Sequence, residues 1–116
     1  MAEPDCLFCK IVAGEIPADI VSESATTLAF RDVQPQAPVH VLVIPKQHQP
    51  SVAAQLDADP SVLLDVFSAT RDVALAEGLA ESGYRLVVNT GADAAQSVFH
   101  LHVHVLGGRK LSWPPG

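Results

Sequence analysis

Seven residues, His100-Leu101-His102-Val103-His104-Val105-Leu106, constrain the fold more than any other stretch of the chain. Imidazole and aliphatic side chains alternate through them. A helix would scatter that pattern around its surface, whereas a strand sends successive side chains to opposite faces. The run therefore predicts a strand over residues 98–106. His100, His102 and His104 share one face, and Leu101, Val103 and Val105 turn towards a core. At about 3.4 Å per residue the backbones of His100 and His104 stand about 13–14 Å apart. All three rings can line one groove, but they can hardly all ligate one ion from a straight strand. Three readings of the face stay open. It can be a plain polar surface, or neighbouring imidazoles can share a metal. It can also do imidazole chemistry, one ring as nucleophile or base and others fixing its tautomer and supplying protons. Attack by an imidazole on phosphorus would give a labile phospho-histidine and split one hard step into two.

A strand with an apolar face needs partners. Residues 39–44, Val-His-Val-Leu-Val-Ile, are nearly all β-branched or apolar and read as a central strand ended by Pro45. Residues 20–24 and 27–31 read as a hairpin, and residues 84–89 as a further strand. Pro35 and Pro38 make residues 34–38 a loop. Residues 7–13 read as a short helix, stopped by Gly14 and Pro17. One long helix follows the central strand, with Asp59 as N-cap and Pro60 at its first position. Leu63, Phe67, Thr70 and Ala74 recur on one face, with Val62, Val66 and Val73 beside them, and Gly78 and Gly83 bracket its end. Residues 90–97 form a Gly/Ala/Asp loop. Adjacent antiparallel strands covered by a helix make an α+β domain.

Length and charge set the remaining bounds. A chain of 116 residues holds one core, so residues 1–116 read as a single domain. Thirteen acidic residues against seven basic ones give a net charge of −6, which lacks the basic footprint of a general DNA or RNA binder. A bound anion must then be held by a local arrangement. No apolar run reaches the ~18 residues of a membrane span. Met1-Ala2-Glu3-Pro4-Asp5 is acidic and polar, unlike a secretory signal, which points to the cytoplasm, where structural disulfides are rare. Cys6 and Cys9 are then a redox pair, two unrelated thiols, or half of a zinc site. Zinc needs four ligands of soft or borderline type, and His48 and His100 are the candidates for the other two.

The histidine run matches the histidine triad motif, His-φ-His-φ-His-φ-φ, in full. Cys6-Leu7-Phe8-Cys9-Lys10-Ile11-Val12, Glu15-Ile16-Pro17-Ala18, Ala29-Phe30-Arg31-Asp32-Val33, Pro35-Gln36-Ala37-Pro38-Val39-His40, Leu42-Val43-Ile44-Pro45-Lys46, Gln96-Ser97-Val98-Phe99, Gly107-Gly108-Arg109 and Trp113-Pro114-Pro115-Gly116 also resemble the histidine triad nucleotide-binding protein branch of that family. The resemblance covers essentially the whole chain.

The resemblance implies a five-stranded antiparallel sheet with one long and one short N-terminal helix, two copies forming a ten-stranded sheet in a homodimer. Residues 107–116 would reach the partner. The implied activity is hydrolysis of purine nucleoside phosphoramidates through a nucleotidyl-histidine, with purine nucleoside monophosphates such as AMP and GMP as ligands. Its rivals are dinucleoside polyphosphate hydrolysis or nucleotidyl transfer by the same histidine, a nucleotide-binding scaffold for protein interactions, and a small non-catalytic zinc module. By position His102 matches the nucleophile, His40 the histidine that orients and polarises it, and His104 the donor to the phosphate. Asp32 matches the carboxylate on the ribose hydroxyls, although an Asp after a strand is also a common turn former. Phe8, Ile16, Val33 and Leu42 match the walls of the base slot, though apolar residues in such places also serve as plain core. Asn89, Gln96 and the catalytic-loop Ser97 match the phosphate loop. The family has glycine at the positions of Ala94 and Ala95, and alanine is poor at positive φ. Related bacterial proteins with the same Cys pair carry structural zinc on two Cys and two His, which implies Zn2+ on Cys6, Cys9, His48 and His100.

Overall fold

The computed structural model describes residues 3–116; Met1 and Ala2, the start of the acidic N-terminal pentapeptide, lie outside the described residues. The chain runs α1 (Leu7–Val12), β1 (Ile20–Glu23), β2 (Thr27–Arg31), β3 (Val39–Pro45), α2 (Val52–Ala58), α3 (Ser61–Ala76), β4 (Tyr84–Val87) and β5 (Val103–Gly107). The strands form one five-stranded sheet in the order β1-β2-β3-β5-β4, and every neighbouring pair is antiparallel. The expected α+β architecture is present. Among the described residues no helix is long and apolar enough to cross a membrane.

β3 is the centre of the sheet and shows why its sequence is apolar throughout. Val41 and Val43 face α3, packing with Ala29, Val103 and Val105 against Val62, Val66, Val73 and Ala74. Leu42 and Ile44 face the other way and pack with Leu28, Phe30, Phe8, Cys6 and Cys9 under α1. Both faces of the middle strands are covered, so alternation between polar and apolar residues disappears there. The register opposes Leu42 to His104 and His40 to Leu106. His40, Leu42 and His104 thus share the α1 face, and the parity of the histidine run holds.

Four elements differ from their expected form. The long helix is preceded by a separate helix, α2, whose N-cap Ser51 accepts a hydrogen bond from the Ala54 N–H. Asp59 lies between the two helices, and its carboxylate accepts from the Ser61 N–H and Oγ–H. On α3 the buried stripe is Val62, Val66, Thr70, Val73 and Ala74, while Phe67 is 38% exposed, so the core face is rotated from the one read off Leu63 and Phe67. β4 ends at Val87 and not at residue 89. The last strand begins at Val103 and not at residue 98. Pairing with β3 stops at Val43 opposite Val103. Beyond that point the Leu101 N–H donates to the Gln49 carbonyl, and the His100 ring turns inward to the cysteines. A local side-chain cluster has replaced the strand ladder.

Candidate active site and metal cluster

α1, the end of β2, the middle of β3 and residues 97–104 enclose a cavity of about 390 Å³. Phe8, Ile16, Asp32, Val33, Leu42, Ser97, His102 and His104 all line it. Its walls are mainly apolar, with the carboxylate and two imidazoles at one side, as suits a flat aromatic ligand carrying a polar group. The sequence reading missed Phe30, Val98 and Pro17 as wall residues. Phe30 could have been found, since β2 pairs it with Leu42 and puts both on one face.

Hydrogen bonding divides the histidines. The Nδ1–H of His102 donates to its neighbour's carbonyl, the His100 oxygen, at 2.7 Å. Its proton is therefore on Nδ1, and Nε2 keeps a free lone pair on a ring that lines the cavity. Phe8 holds that ring edge-on with centroids 5.1 Å apart. For His104 the order is reversed. The Gln36 N–H donates to His40 Nδ1 at 3.0 Å, so His40 carries its proton on Nε2. That Nε2–H lies 2.8 Å from His104 Nδ1 and 3.4 Å from Asp32 Oδ2. His104 then accepts at Nδ1 and carries its own proton on Nε2. One cavity wall thus presents an imidazole lone pair and an imidazole N–H side by side, with ring centroids 5.2 Å apart.

Burial holds His104 neutral, pushing its pKa down to about 4, with His102 and His40 adding to the shift and Asp32 opposing it. Burial also lowers His40, against the pull of Asp32. The expected link from His40 to His102 is not the geometry found. His40 bonds to His104, and the His100 carbonyl does the orienting of His102.

Two other expected residues lie outside the cavity walls. The buried Gln96 side chain accepts from the Gly91 N–H and donates to the Pro50 and Val98 carbonyls. Asn89 Nδ2 donates to the Ala94 carbonyl. Both brace the 89–98 loop that carries Ser97. Asp32 combines both of its readings: Oδ1 accepts from the Gln34 N–H and closes the turn at 2.8 Å, while the residue also lines the cavity.

Behind Phe8 a second cluster gathers Cys6, Cys9, His48 and His100, the four residues expected to bind metal. Cys6 Sγ and Cys9 Sγ lie 3.4 and 3.5 Å from His100 Nδ1. His48 Nδ1 lies 3.4 Å from Cys9 Sγ and 3.2 Å from His100 Nδ1. A tetrahedral ion with bonds of about 2.3 Å to sulfur and 2.0–2.1 Å to nitrogen sets such atoms about 3.3–3.6 Å apart. His100 Nε2–H donates to the Pro45 carbonyl at 2.8 Å, which leaves Nδ1 as the ligand lone pair. Burial pushes the Cys9 thiol up, and a cation bound there would take the place of its proton. The donor set fits a closed divalent site. Asp32, His40 and His104 also lie close together. There the 2.8 Å contact is a hydrogen bond between His40 Nε2 and His104 Nδ1, which takes up the two nitrogens that an ion would need.

Imidazoles of opposite tautomer along one wall of a cavity, carried by a five-stranded antiparallel sheet, are the arrangement of a histidine-triad class of domain. The HIT domain model matches residues 13–111, and the chain belongs to that family. It is 52% identical over 112 residues to a HIT-like protein of Synechococcus elongatus, covering 97% of each chain. A HIT family hydrolase from Legionella pneumophila superposes with a TM-score of 0.93 at 50% identity, covering 97% of this chain and 100% of that one. A histidine triad nucleotide-binding protein from Candida albicans superposes with a TM-score of 0.82 at 34% identity, covering 97% and 85%.

Proposed function

We propose that this protein is a purine nucleoside phosphoramidate hydrolase that works through a nucleotidyl-histidine. The observation that carries the reading is the division of labour in the cavity: a lone pair on His102 Nε2 beside an N–H on His104 Nε2. The first is a nucleophile. The second is a donor to a phosphate oxygen, which it can serve while neutral. In the first step His102 Nε2 forms a bond to phosphorus as the P–N bond breaks, and the departing nitrogen takes a proton from solvent so that it leaves as a neutral amine. The ring becomes positively charged, and the bond from Nδ1–H to the His100 carbonyl strengthens with that charge. Water then cleaves the P–N(His) bond and releases the nucleoside monophosphate. Relatives named as hydrolases and as nucleotide-binding proteins support this class of activity.

Asp32 lines the cavity with its Oδ1 held by the turn, and in this reading Oδ2 accepts from the ribose hydroxyls. Phe8, Ile16, Val33 and Leu42 offer the apolar slot for the base, and Ser97 stands at the phosphate end. The Cys6, Cys9, His48 and His100 cluster is assigned to structural Zn2+, which staples α1 to the sheet when bound. His102→Ala should lower turnover of adenosine and guanosine phosphoramidates by ~10⁴ or more while nucleoside monophosphate still binds. Mass spectrometry of quenched wild-type enzyme should show the nucleotidyl adduct on His102. Near-normal turnover in His102→Ala would sink the assignment. Faster turnover of dinucleoside polyphosphates than of phosphoramidates would move the protein to the polyphosphate hydrolase reading.

A further inference from the structure

His100 does two things at once. Its ring is fully buried and anchored at both nitrogens: Nδ1 faces Cys6, Cys9 and His48, and Nε2–H donates to the Pro45 carbonyl. Its backbone carbonyl accepts the Nδ1–H of His102. These residues precede β5, so no strand ladder holds them. The bonds described for this segment run to the Cys/His cluster or its neighbours. The Leu101 N–H donates to Gln49, next to His48. Phe8, between Cys6 and Cys9, sets its ring edge-on to both His100 and His102, with centroids 6.0 and 5.1 Å away.

The direction of a peptide carbonyl follows from the backbone angles of its own residue, and those are fixed here by where the ring is tied. We infer that His100 is a positioning residue through which metal at the cysteine cluster controls the nucleophile. With an ion shared by Cys6, Cys9, His48 and His100, the carbonyl stays against His102 Nδ1, and the Nε2 lone pair stays aimed into the cavity. Without it Nδ1 keeps only the weaker contacts of the thiols, the carbonyl is freer to swing, and the proton of His102 can move between the two nitrogens. The metal thus acts on the rate of attack without meeting substrate. Affinity for the nucleoside monophosphate changes far less than the rate, because Asp32, Ile16, Val33 and Leu42 stand on other segments and only Phe8 of the slot shares α1 with the cysteines. The inference rests on His102 being the nucleophile.

The test compares full-length protein in three states: loaded with zinc, stripped by chelator, and reloaded. Purified protein should hold about one zinc per chain. Nitrogen-15 NMR of the loaded state should show His102 as a single Nδ1–H tautomer with a slowly exchanging ring proton. On stripping, that proton should become fast-exchanging, the tautomers should mix, and the Leu101 amide should exchange at least ~10-fold faster, while Val41 and Val43 stay protected. Formation of the nucleotidyl-histidine in a single turnover should slow about tenfold, with Kd for AMP within about twofold. Zinc should restore each value. Cys6→Ser and Cys9→Ser weaken the cluster without touching His100 or His102 and should reproduce the stripped state.

Three results overturn the inference: protein that binds no zinc, a stripped or Cys9→Ser protein whose His102 ring proton stays protected, or loss of protection through the whole sheet at once. Absence of phosphoramidate turnover in loaded protein would instead refute the proposed activity, and the NMR comparison would still decide the coupling.

Discussion

His102 and His104 are the same residue type two positions apart, yet their neighbours make one an acceptor and the other a donor. The deciding groups are main-chain: the His100 carbonyl for one, and the Gln36 N–H, acting through His40, for the other. Sequence spacing could show that the imidazoles share a face. It could not show which nitrogen carries each proton, because for His102 that depends on how the His100 carbonyl turns, and for His104 on His40, 64 residues away in sequence, and the Gln36 N–H behind it. Burial of His104 also carries a stability signature. Its pKa is pushed down to about 4, whereas in the unfolded chain it is about 6.5. The unfolded state therefore binds more protons between these values, and stability falls as pH drops from about 6.5 towards 4. Above 6.5 the contribution is fully present. His40, lowered in the same direction, adds to the slope. Replacing His104 with Gln should remove a part of the loss on the order of 1–3 kcal/mol between pH 7 and pH 4, read from urea unfolding at each pH. An unchanged pH slope in that variant would show that His104 titrates normally in the folded protein.

At the scale of elements, the phosphate-side loop shows where local sequence rules are overridden. Glycine is the usual residue at the positions of Ala94 and Ala95 in the resembling family, and the expected strain is found at one of the two. Ala95 has φ 63° and ψ 33°, and it is the single positive-φ residue other than glycine among the described residues. The surrounding bonds account for its persistence. The Ala95 N–H donates to Ala92, the Gln96 N–H to Gly91, and the Gln96 side chain ties both ends of the turn. Relief of a left-handed alanine is worth about 1–2 kcal/mol, and added chain freedom costs about 0.5–1 kcal/mol. Ala95→Gly should therefore be neutral to stabilising by up to about 1 kcal/mol, whereas Ala94→Gly should only destabilise. Equal effects of the two substitutions on the urea midpoint would contradict this account. The same contest explains what the sequence reading reached and missed in the fold. β1, β2 and β3 were legible because β-branched runs end at Pro45 or at polar turns. α2 was missed although Ser51 before Val-Ala-Ala-Gln is an N-cap signal, since its exposed, Ala-rich turns lack an apolar stripe. The last strand was overextended because alternation continues through residues 100–102, where the Cys/His cluster and not the ladder sets the backbone.

For the whole molecule, the sheet and α3 leave an apolar surface that a lone chain does not cover. Leu64, Phe67 and Leu75 on α3 are exposed, as are Tyr84 and Leu86 on the edge strand β4. An edge strand with unpaired main-chain groups and exposed aliphatic side chains is a site for pairing. A two-fold axis beside β4 would join two sheets into one of ten strands and cover both α3 faces with one self-complementary patch. The C-terminal tail supports that arrangement. Arg85 on β4 donates to the Ser112 carbonyl, which leads the tail along the same edge, and Trp113 beyond it is 81% exposed. In such a dimer a tryptophan so placed would find burial on the second copy, near that copy's cavity. Sedimentation should give twice the chain mass at micromolar concentration. A charge on the patch, Leu86→Asp, should yield monomers, since a buried unpaired carboxylate costs several kcal/mol in an interface. Deleting residues 111–116 should leave a folded dimer with near-normal AMP affinity, because no tail residue lines the cavity of its own chain. The change should appear in the ratio of rates for phosphoramidates with bulky and small amines, since the partner's tail would border the leaving-group end. A fully active monomer, or a tail deletion that unfolds the protein and leaves that ratio untouched, would show that the tail serves its own chain alone.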